Sequence, residues 1–217
     1  MKSTTTVVGM GIYREQILPR IIDKALGTEE MLRHRREAAA GLSGEVVEIG
    51  FGSGLNMAAY PPEVTRVRAV DPALLGRKLA ADRVAASPIE VDYIGLDGQR
   101  LPLDDDSCDG ALSTLTLCTI PDEDAALSEL VRVVKPGGRI HLLEHGRSRD
   151  DSIHKWQKRL NPIQRRVGDG CHLDRDHVVH VEAAGLEIEE AREWYAKGPK
   201  PMVAFYLLRT NVPPSPQ

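Results

Sequence analysis

The stretch from residue 46 to residue 71 constrains this chain more than any other. Val46-Val47-Glu48-Ile49 reads as a buried strand that runs into Gly50-Phe51-Gly52-Ser53-Gly54. A helix is expected through Leu55 to Tyr60, then a second strand, Val67-Arg68-Ala69-Val70, ending at Asp71, twenty-one residues past Gly50. Glycines in such a loop let the backbone turn sharply and let a ligand approach with no Cβ in the way. A carboxylate at the end of the second strand can accept both hydroxyls of a ribose. A glycine cluster alone is often only a turn; the order strand, loop, helix, strand, acid is far more restrictive. Position 55 is leucine, so the G-x-G-x-x-G fingerprint of nicotinamide and flavin sites is not met, and no Lys followed by Ser or Thr makes this a Walker-type loop.

Around this unit, short apolar runs alternate with helical stretches, the pattern of a parallel sheet with crossover helices. The strands expected are 45–50, 66–70, 89–94, 109–115, 139–144, 186–194 and 202–209. Between the fourth and fifth, Leu127, Leu130, Val131 and Val134 fall at i, i+3, i+4 and i+7 of a helix, which Lys135-Pro136-Gly137-Gly138 should stop. Residues 13–42 read as two helices broken at Gly27, the second capped by Thr28, with Glu29 and Glu30 in its first turn. The expected organisation is one domain over 1–217: a helical cap over 1–42, a core over 43–211 and a loose tail over 212–217.

The 217 residues include 41% hydrophobic and 28% charged side chains, globular values, with a formal net charge of -4. Without a basic excess to neutralise a phosphate backbone, nucleic acid is not the expected partner. Cys108, Cys118 and Cys171 are an odd, sparse set, not a disulfide framework. No segment approaches ~18 consecutive apolar residues, so a cytoplasmic chain without stable membrane insertion is expected.

Two further stretches agree with the first. Asp97-Gly98-Gln99-Arg100-Leu101-Pro102-Leu103 follows the third strand, and Ser113-Thr114-Leu115 lies at the carboxyl end of the fourth, where ligands bind in open α/β sheets. The loop has the G-x-G-x-G form seen in S-adenosylmethionine (SAM) enzymes. With "VDP", "DGQRLPLDDDSCD" and "LVRVVKPGGRIHLLEHG", the chain resembles the ubiquinone/menaquinone-type class I methyltransferases over about residues 44–146. The resemblance implies a Rossmann-like α/β fold of seven mostly parallel strands, the last antiparallel, with helices on both faces. It also implies SAM as cofactor and S-adenosylhomocysteine as product. By that resemblance Glu48, Gly50 and Gly52 flank the methionine end, Asp71 holds the ribose, and Asp97 with Gly98 meets the adenine. Gly54, Asn56, Pro72, Gln99, Ser113, Thr114 and Leu115 complete the cofactor set. The commoner family pattern has Ala-Glu where this chain has Gly98-Gln99.

A narrower resemblance, carried by "LCTIPDEDAALSELVRVVKPGG", "LEHG", "WQKRLNPIQRRVGDGCHLDR" and "EAAGL", is to methyltransferase-like enzymes that S-methylate small thiols, over roughly 44–196. It implies a small-molecule acceptor, a thiol first. O- or C-methylation of a quinone or phenol, and a non-catalytic SAM-binding protein, are the alternatives. Substrate-side candidates are Cys118, Glu144, His145, Trp156, Asp169, Cys171 and His172, with His145, Asp169 and Cys171 the catalytic choices. His145 could take a proton near neutral pH, or simply pack at a strand end; Cys171 is reactive only in an electropositive setting. His141-Leu142-Leu143-Glu144-His145 has the H-x-x-E-H spacing of a zinc peptidase, but it reads as a strand. At ~3.3 Å per residue the two histidines would stand about 13 Å apart, too far to share one metal ion.

Overall fold

A computed structural model describes residues 13–214. The first twelve residues of the expected cap and the last three of the expected tail lie outside the described residues. The strands are β1 (Gly44–Ile49), β2 (Val64–Val70), β3 (Glu90–Gly95), β4 (Cys108–Thr114), β5 (Val134–His145), β6 (Glu187–Tyr195) and β7 (Ala204–Asn211). They form one sheet in the order β3-β2-β1-β4-β5-β7-β6. The first five are parallel, and β7 pairs antiparallel with both β5 and β6. The helices are α1 (Leu18–Leu26), α2 (Glu29–Ala39), α3 (Leu74–Ala85), α4 (Glu123–Val133), α5 (Asp151–Val167) and α6 (His177–Ala183). Each strand lies within a few residues of its expected place. Among the described residues no helix is long and apolar enough to cross a membrane.

The central strands are apolar on both faces because helices cover both. In β1, Val47 and Ile49 join a core with Ala111, Leu127, Leu130, Ile140 and Leu142. Val46 points the other way, into a core with Ala38, Leu42, Leu112, Leu143 and Leu207. The sheet order reverses between β1 and β4, so their carboxyl ends diverge into a crevice, the usual ligand position in such folds.

Local chemistry sets several ends. Thr28 Oγ1 accepts from the Met31 N–H at 3.3 Å and starts α2; Asp122 Oδ1 accepts from Ala125 N at 3.0 Å and starts α4. Three expectations change. The helix expected from Leu55 to Tyr60 is one 3-10 turn over Leu55–Ala58, because Pro61 and Pro62 follow closely and disfavour helical backbone before them. α4 ends at Val133, before the stop signal: Lys135-Pro136-Gly137-Gly138 already runs in β5, whose register with β4 shifts between Cys108 and Gly110. Val212, expected in the loose tail, is pinned, exchanging backbone hydrogen bonds with Gly137 and Gly138 at 2.9 Å each.

Leu127 is fully buried in the core between α4 and the sheet. Leu127→Ala should therefore cost about 2–5 kcal/mol of unfolding free energy, read from urea midpoints at unchanged slope. A loss typical of a surface site would mean that α4 does not pack as described.

Candidate active site

A cavity of about 660 Å³ opens at the carboxyl ends of β1 and β4. Its floor is the glycine loop. Gly50, Gly52 and Gly54 all adopt positive φ. A Cβ on Gly50 would stand 1.8 Å from Thr116 Oγ1, so only glycine fits there. A Cβ on Gly52 would meet nothing nearer than the Gly50 carbonyl at 3.8 Å, so the space over Gly52 is clear for a ligand. Asp71 holds the loop: Oδ2 accepts from Gly52 N at 2.8 Å and Oδ1 from Ala73 N at 2.7 Å. Burial pushes the Asp71 carboxyl up while these two N–H groups pull it down. A carboxylate has about four acceptor sites, so capacity for two hydroxyls is left.

On the next strand end, Asp97 Oδ1 accepts from the Gln99 backbone N–H at 2.9 Å and its side-chain amide at 3.0 Å. These bonds hold its carboxyl below the usual range. Gln99 in turn accepts from Asp122 N at 2.9 Å, fixing the turn to the start of α4. Leu96, exposed and on the cavity wall, gives the turn an apolar face that sequence reasoning missed.

Beneath the loop lies a buried polar network. Arg35 of α2 donates to Asn56 Oδ1 at 2.8 Å and Thr114 Oγ1 at 2.9 Å. Asn56 donates to Glu48 Oε1 at 2.7 Å, and Tyr60 to Glu48 Oε2 at 2.5 Å. Glu48 and Asn56 are not on the cavity wall; Arg35 is, although only 4% exposed. Nothing in Arg33-His34-Arg35-Arg36 singles out Arg35 by pattern; only its burial does.

Glu144 does a similar job one strand over. Its Oε1 accepts from Ser113 Oγ at 2.7 Å and from Thr116 N and Leu117 N at 3.1 Å each; its Oε2 accepts from Cys118 N at 3.3 Å. That clamp shapes the segment after β4, where Leu115 takes a positive φ. Ser113 therefore serves the clamp and does not face the cavity. Above, α1 supplies Leu18, Pro19, Ile22 and Leu26 as a roof. Its Asp23 accepts from Ser53 Oγ at 2.6 Å and from Arg83 at 2.8 Å, latching the roof to the glycine loop.

Of the expected cofactor residues, Gly50, Gly52, Asp71, Pro72, Asp97, Gly98, Gln99, Thr114 and Leu115 line this one cavity; Glu48, Gly54, Asn56 and Ser113 stand behind it. At the far end, Gly168, Asp169 and Gly170 complete the wall beside Thr116 and Thr119. Of the catalytic choices only Asp169 lines the cavity. Cys171 Sγ lies 3.5 Å from His145 Nδ1 and 3.6 Å from Cys118 Sγ, off the wall. Trp156 is 54% exposed on α5 under Arg159 and does not touch the cavity. His172 donates its backbone N–H to the Cys118 carbonyl at 2.7 Å, and its imidazole is pushed down by burial and by Arg175 and Arg165. The sequence gives no hint of His177, fully buried between Glu123 and the His145 carbonyl, 3.0 Å from the latter.

The residues present fit SAM: an open glycine surface, the Asp71 carboxylate with acceptor capacity left at the end of β2, an apolar face at Leu96 and a cation at Arg35. Burial lifts the Glu48 carboxyl from 4.5 to about 7, against hydrogen bonds from Tyr60 and Asn56. The folded state then keeps a proton that the unfolded chain has released, so Glu48 makes stability fall as pH rises from about 4.5 to about 7. Glu48→Gln should remove that slope, its unfolding free energy gaining on the parent's across the window. Parallel stability profiles of the two proteins would contradict the assignment.

Residues 47–142 match the methyltransferase domain family model. Rat thiol S-methyltransferase TMT1B is 33% identical over 162 residues, 71% of this chain and 65% of the rat protein. Human thiol S-methyltransferase TMT1A is 30% identical, covering 81% of this chain and 70% of the human protein. The chain thus spans about two thirds of the length of these relatives. A putative methyltransferase from Bacillus halodurans superposes with a TM-score of 0.70 at 20% identity, over 85% of this chain and 99% of that one, which shows the shared fold. Crevice, glycine loop and relatives agree: the chain belongs to the SAM-dependent methyltransferase family.

Proposed function

We propose that this chain moves the methyl group of SAM to a small-molecule acceptor, and that the acceptor is a small thiol. The observation that carries the reading is the single cavity that runs from Asp71 and Asp97 to Asp169 under the roof of α1. Its volume falls in the ~300–1,000 Å³ range of ligand sites. The names of the rat and human relatives support a thiol acceptor. The net charge of -4 supports a small molecule over nucleic acid. Three free cysteines suit the reducing cytoplasm, where we place the chain.

Bound SAM would supply an electrophilic methyl group for an in-line displacement, which needs alignment and exclusion of water more than acid–base machinery. Asp71 would hold the ribose hydroxyls, and Asp97, Gly98 and Gln99 with Leu96 the adenine. Gly50 and Gly52 would pass the methionine part along the loop, with Arg35 pairing its carboxylate. Glu48 and Asn56 would keep Arg35 and the loop in place. Leu115, Thr116 and Thr119 would face the acceptor. A thiol with a pKa near ~8.5 already supplies thiolate at neutral pH; Asp169 on the wall is our choice to orient it, with His145 and Cys171 outside the contact layer. We assign α1 the cap role within the 1–42 segment and residues 43–211 the core.

The test is transfer of labelled methyl from SAM to a small hydrophobic thiol by the purified chain at mildly alkaline pH, beside titration calorimetry of SAM. The expected result is transfer above the uncatalysed rate. In calorimetry Asp71→Ala should lose about 1.5–3 kcal/mol per charge-assisted hydrogen bond, roughly tenfold or more in affinity. Binding without transfer to thiols, but with transfer to a quinone or phenol, would overturn the thiol. Unchanged affinity in Asp71→Ala would overturn the ribose role.

A further inference from the structure

The far end of the cavity is built from two segments that meet at a pair of sulfurs. Thr116 and Thr119 line the wall on one side, with Cys118 between them turned into the protein; Gly168, Asp169 and Gly170 line it on the other, with Cys171 next in sequence. The two Sγ atoms are 3.6 Å apart. The backbones are already tied beside them, since His172 N donates to the Cys118 carbonyl at 2.7 Å. Closing to the ~2.05 Å of an S–S bond therefore asks mainly for side-chain rotation. Neither sulfur lines the cavity, so the methyl transfer proposed above leaves this pair unused.

The two thiols are not equivalent. Cys118 is 2% exposed, whereas Cys171 is only partly buried. His145 Nδ1 stands 3.5 Å from Cys171 Sγ. Hydrogen bonding from Cys118, His145 and Gln164 favours the Cys171 thiolate and holds its pKa below the usual thiol value; the Cys118 thiol is pushed up by that same partner and by burial. A partly buried thiol held below the usual pKa beside a fully buried one is the arrangement in which one sulfur attacks and the other resolves.

We propose that Cys171 and Cys118 form an oxidant-modification site that takes a small peroxide and becomes a disulfide joining the two segments at the acceptor end of the cavity. The Cys171 sulfur attacks one peroxide oxygen; the O–O bond breaks, and the departing hydroxide leaves as water with the proton of the Cys171 thiol. This gives Cys171 sulfenic acid. The Cys118 sulfur then attacks the Cys171 sulfur, the S–O bond breaks, and the hydroxyl leaves as a second water with the Cys118 proton. Two thiols and one peroxide give one disulfide and two waters; the sulfurs together lose the two electrons that the peroxide oxygens gain. The bond fixes the spacing between the Thr116–Thr119 wall and the Asp169–Gly170 wall, so oxidation sets the width of the acceptor end. A dithiol reductant reverses it.

Cys108 is the internal control. It is buried at the start of β4, and burial pushes its thiol up. The experiment treats the reduced, intact chain with hydrogen peroxide, digests it without reductant and maps the linked peptides by mass spectrometry. The expected result is one joined pair carrying Cys118 and Cys171, lost on treatment with dithiothreitol, with Cys108 still free. Before oxidation, iodoacetamide should label Cys171 at least about tenfold faster than Cys108. In Cys118→Ser, peroxide should leave Cys171 as a sulfenic acid captured by dimedone. Oxidation that spares the Cys118–Cys171 pair, or equal labelling of Cys171 and Cys108, overturns the proposal. These readouts are covalent, so they stand apart from whether a thiol is the methyl acceptor.

Discussion

Arg35 is a cation at 4% exposure, and the site is organised around keeping it there. A buried charge costs several kcal/mol unless it is paired and hydrogen-bonded. Here one network joins four places in the chain: Arg35 of α2 donates to Asn56, from the turn after the glycine loop, and to Thr114, at the end of β4, and Asn56 in turn donates to Glu48 of β1. Holding one cation through these bonds thus ties together the elements that frame the crevice. It also explains why α2, although N-terminal to the sheet, is not a detachable cover: Met31, Ala38 and Ala39 share a core with β1 and β2. Desolvation opposes ionisation at both ends of this network, lowering the Arg35 pKa and raising that of Glu48.

Carboxylates that hold backbone recur around the cavity. Asp71 takes the N–H groups of Gly52 and Ala73, Asp97 that of Gln99, and Glu144 those of three residues after β4. Asp71 and Asp97 follow the ends of β2 and β3, and Glu144, within β5, reaches across to the segment after β4; each takes backbone donors that the turn would otherwise leave without a protein partner. The walls are therefore set before any ligand arrives, which lowers the ordering cost of binding. The roof is held differently. α1 meets the loop through the Asp23–Ser53 bond and the Arg83 ion pair, and Ile21 on it remains exposed.

What could be read from the sequence is what depends on near neighbours. Val46 to Ile49 announces a strand because four residues in a row are shielded from water, and Gly50, Gly52 and Gly54 announce a tight turn because of their spacing. Asp71 and Asp97 follow from their places after apolar runs. The misses are contacts made across the chain. Arg35 meets Thr114 across 79 positions and Glu144 meets Thr116 across 28, distances over which no local pattern speaks. α5 is hidden for another reason: Pro162 removes a backbone donor inside it, and its face carries Lys155, Lys158, Arg159, Arg165 and Arg166, so the apolar period is masked. Asp169, Cys171 and His145 looked alike as chemistry-bearing residues; only the fold separates the one on the wall from the two behind it.

The central claim is that this crevice, floored by the glycine loop and roofed by α1, is where SAM binds. Amide hydrogen exchange of the intact chain, with and without saturating S-adenosylhomocysteine, tests it most directly. The account predicts slowed exchange at residues 50–54, 71–76 and 97–99, together with residues 18–26 of the roof. Ligand binding that leaves the glycine loop and the Asp71 turn at their unliganded rates, with protection elsewhere in the chain, would contradict it.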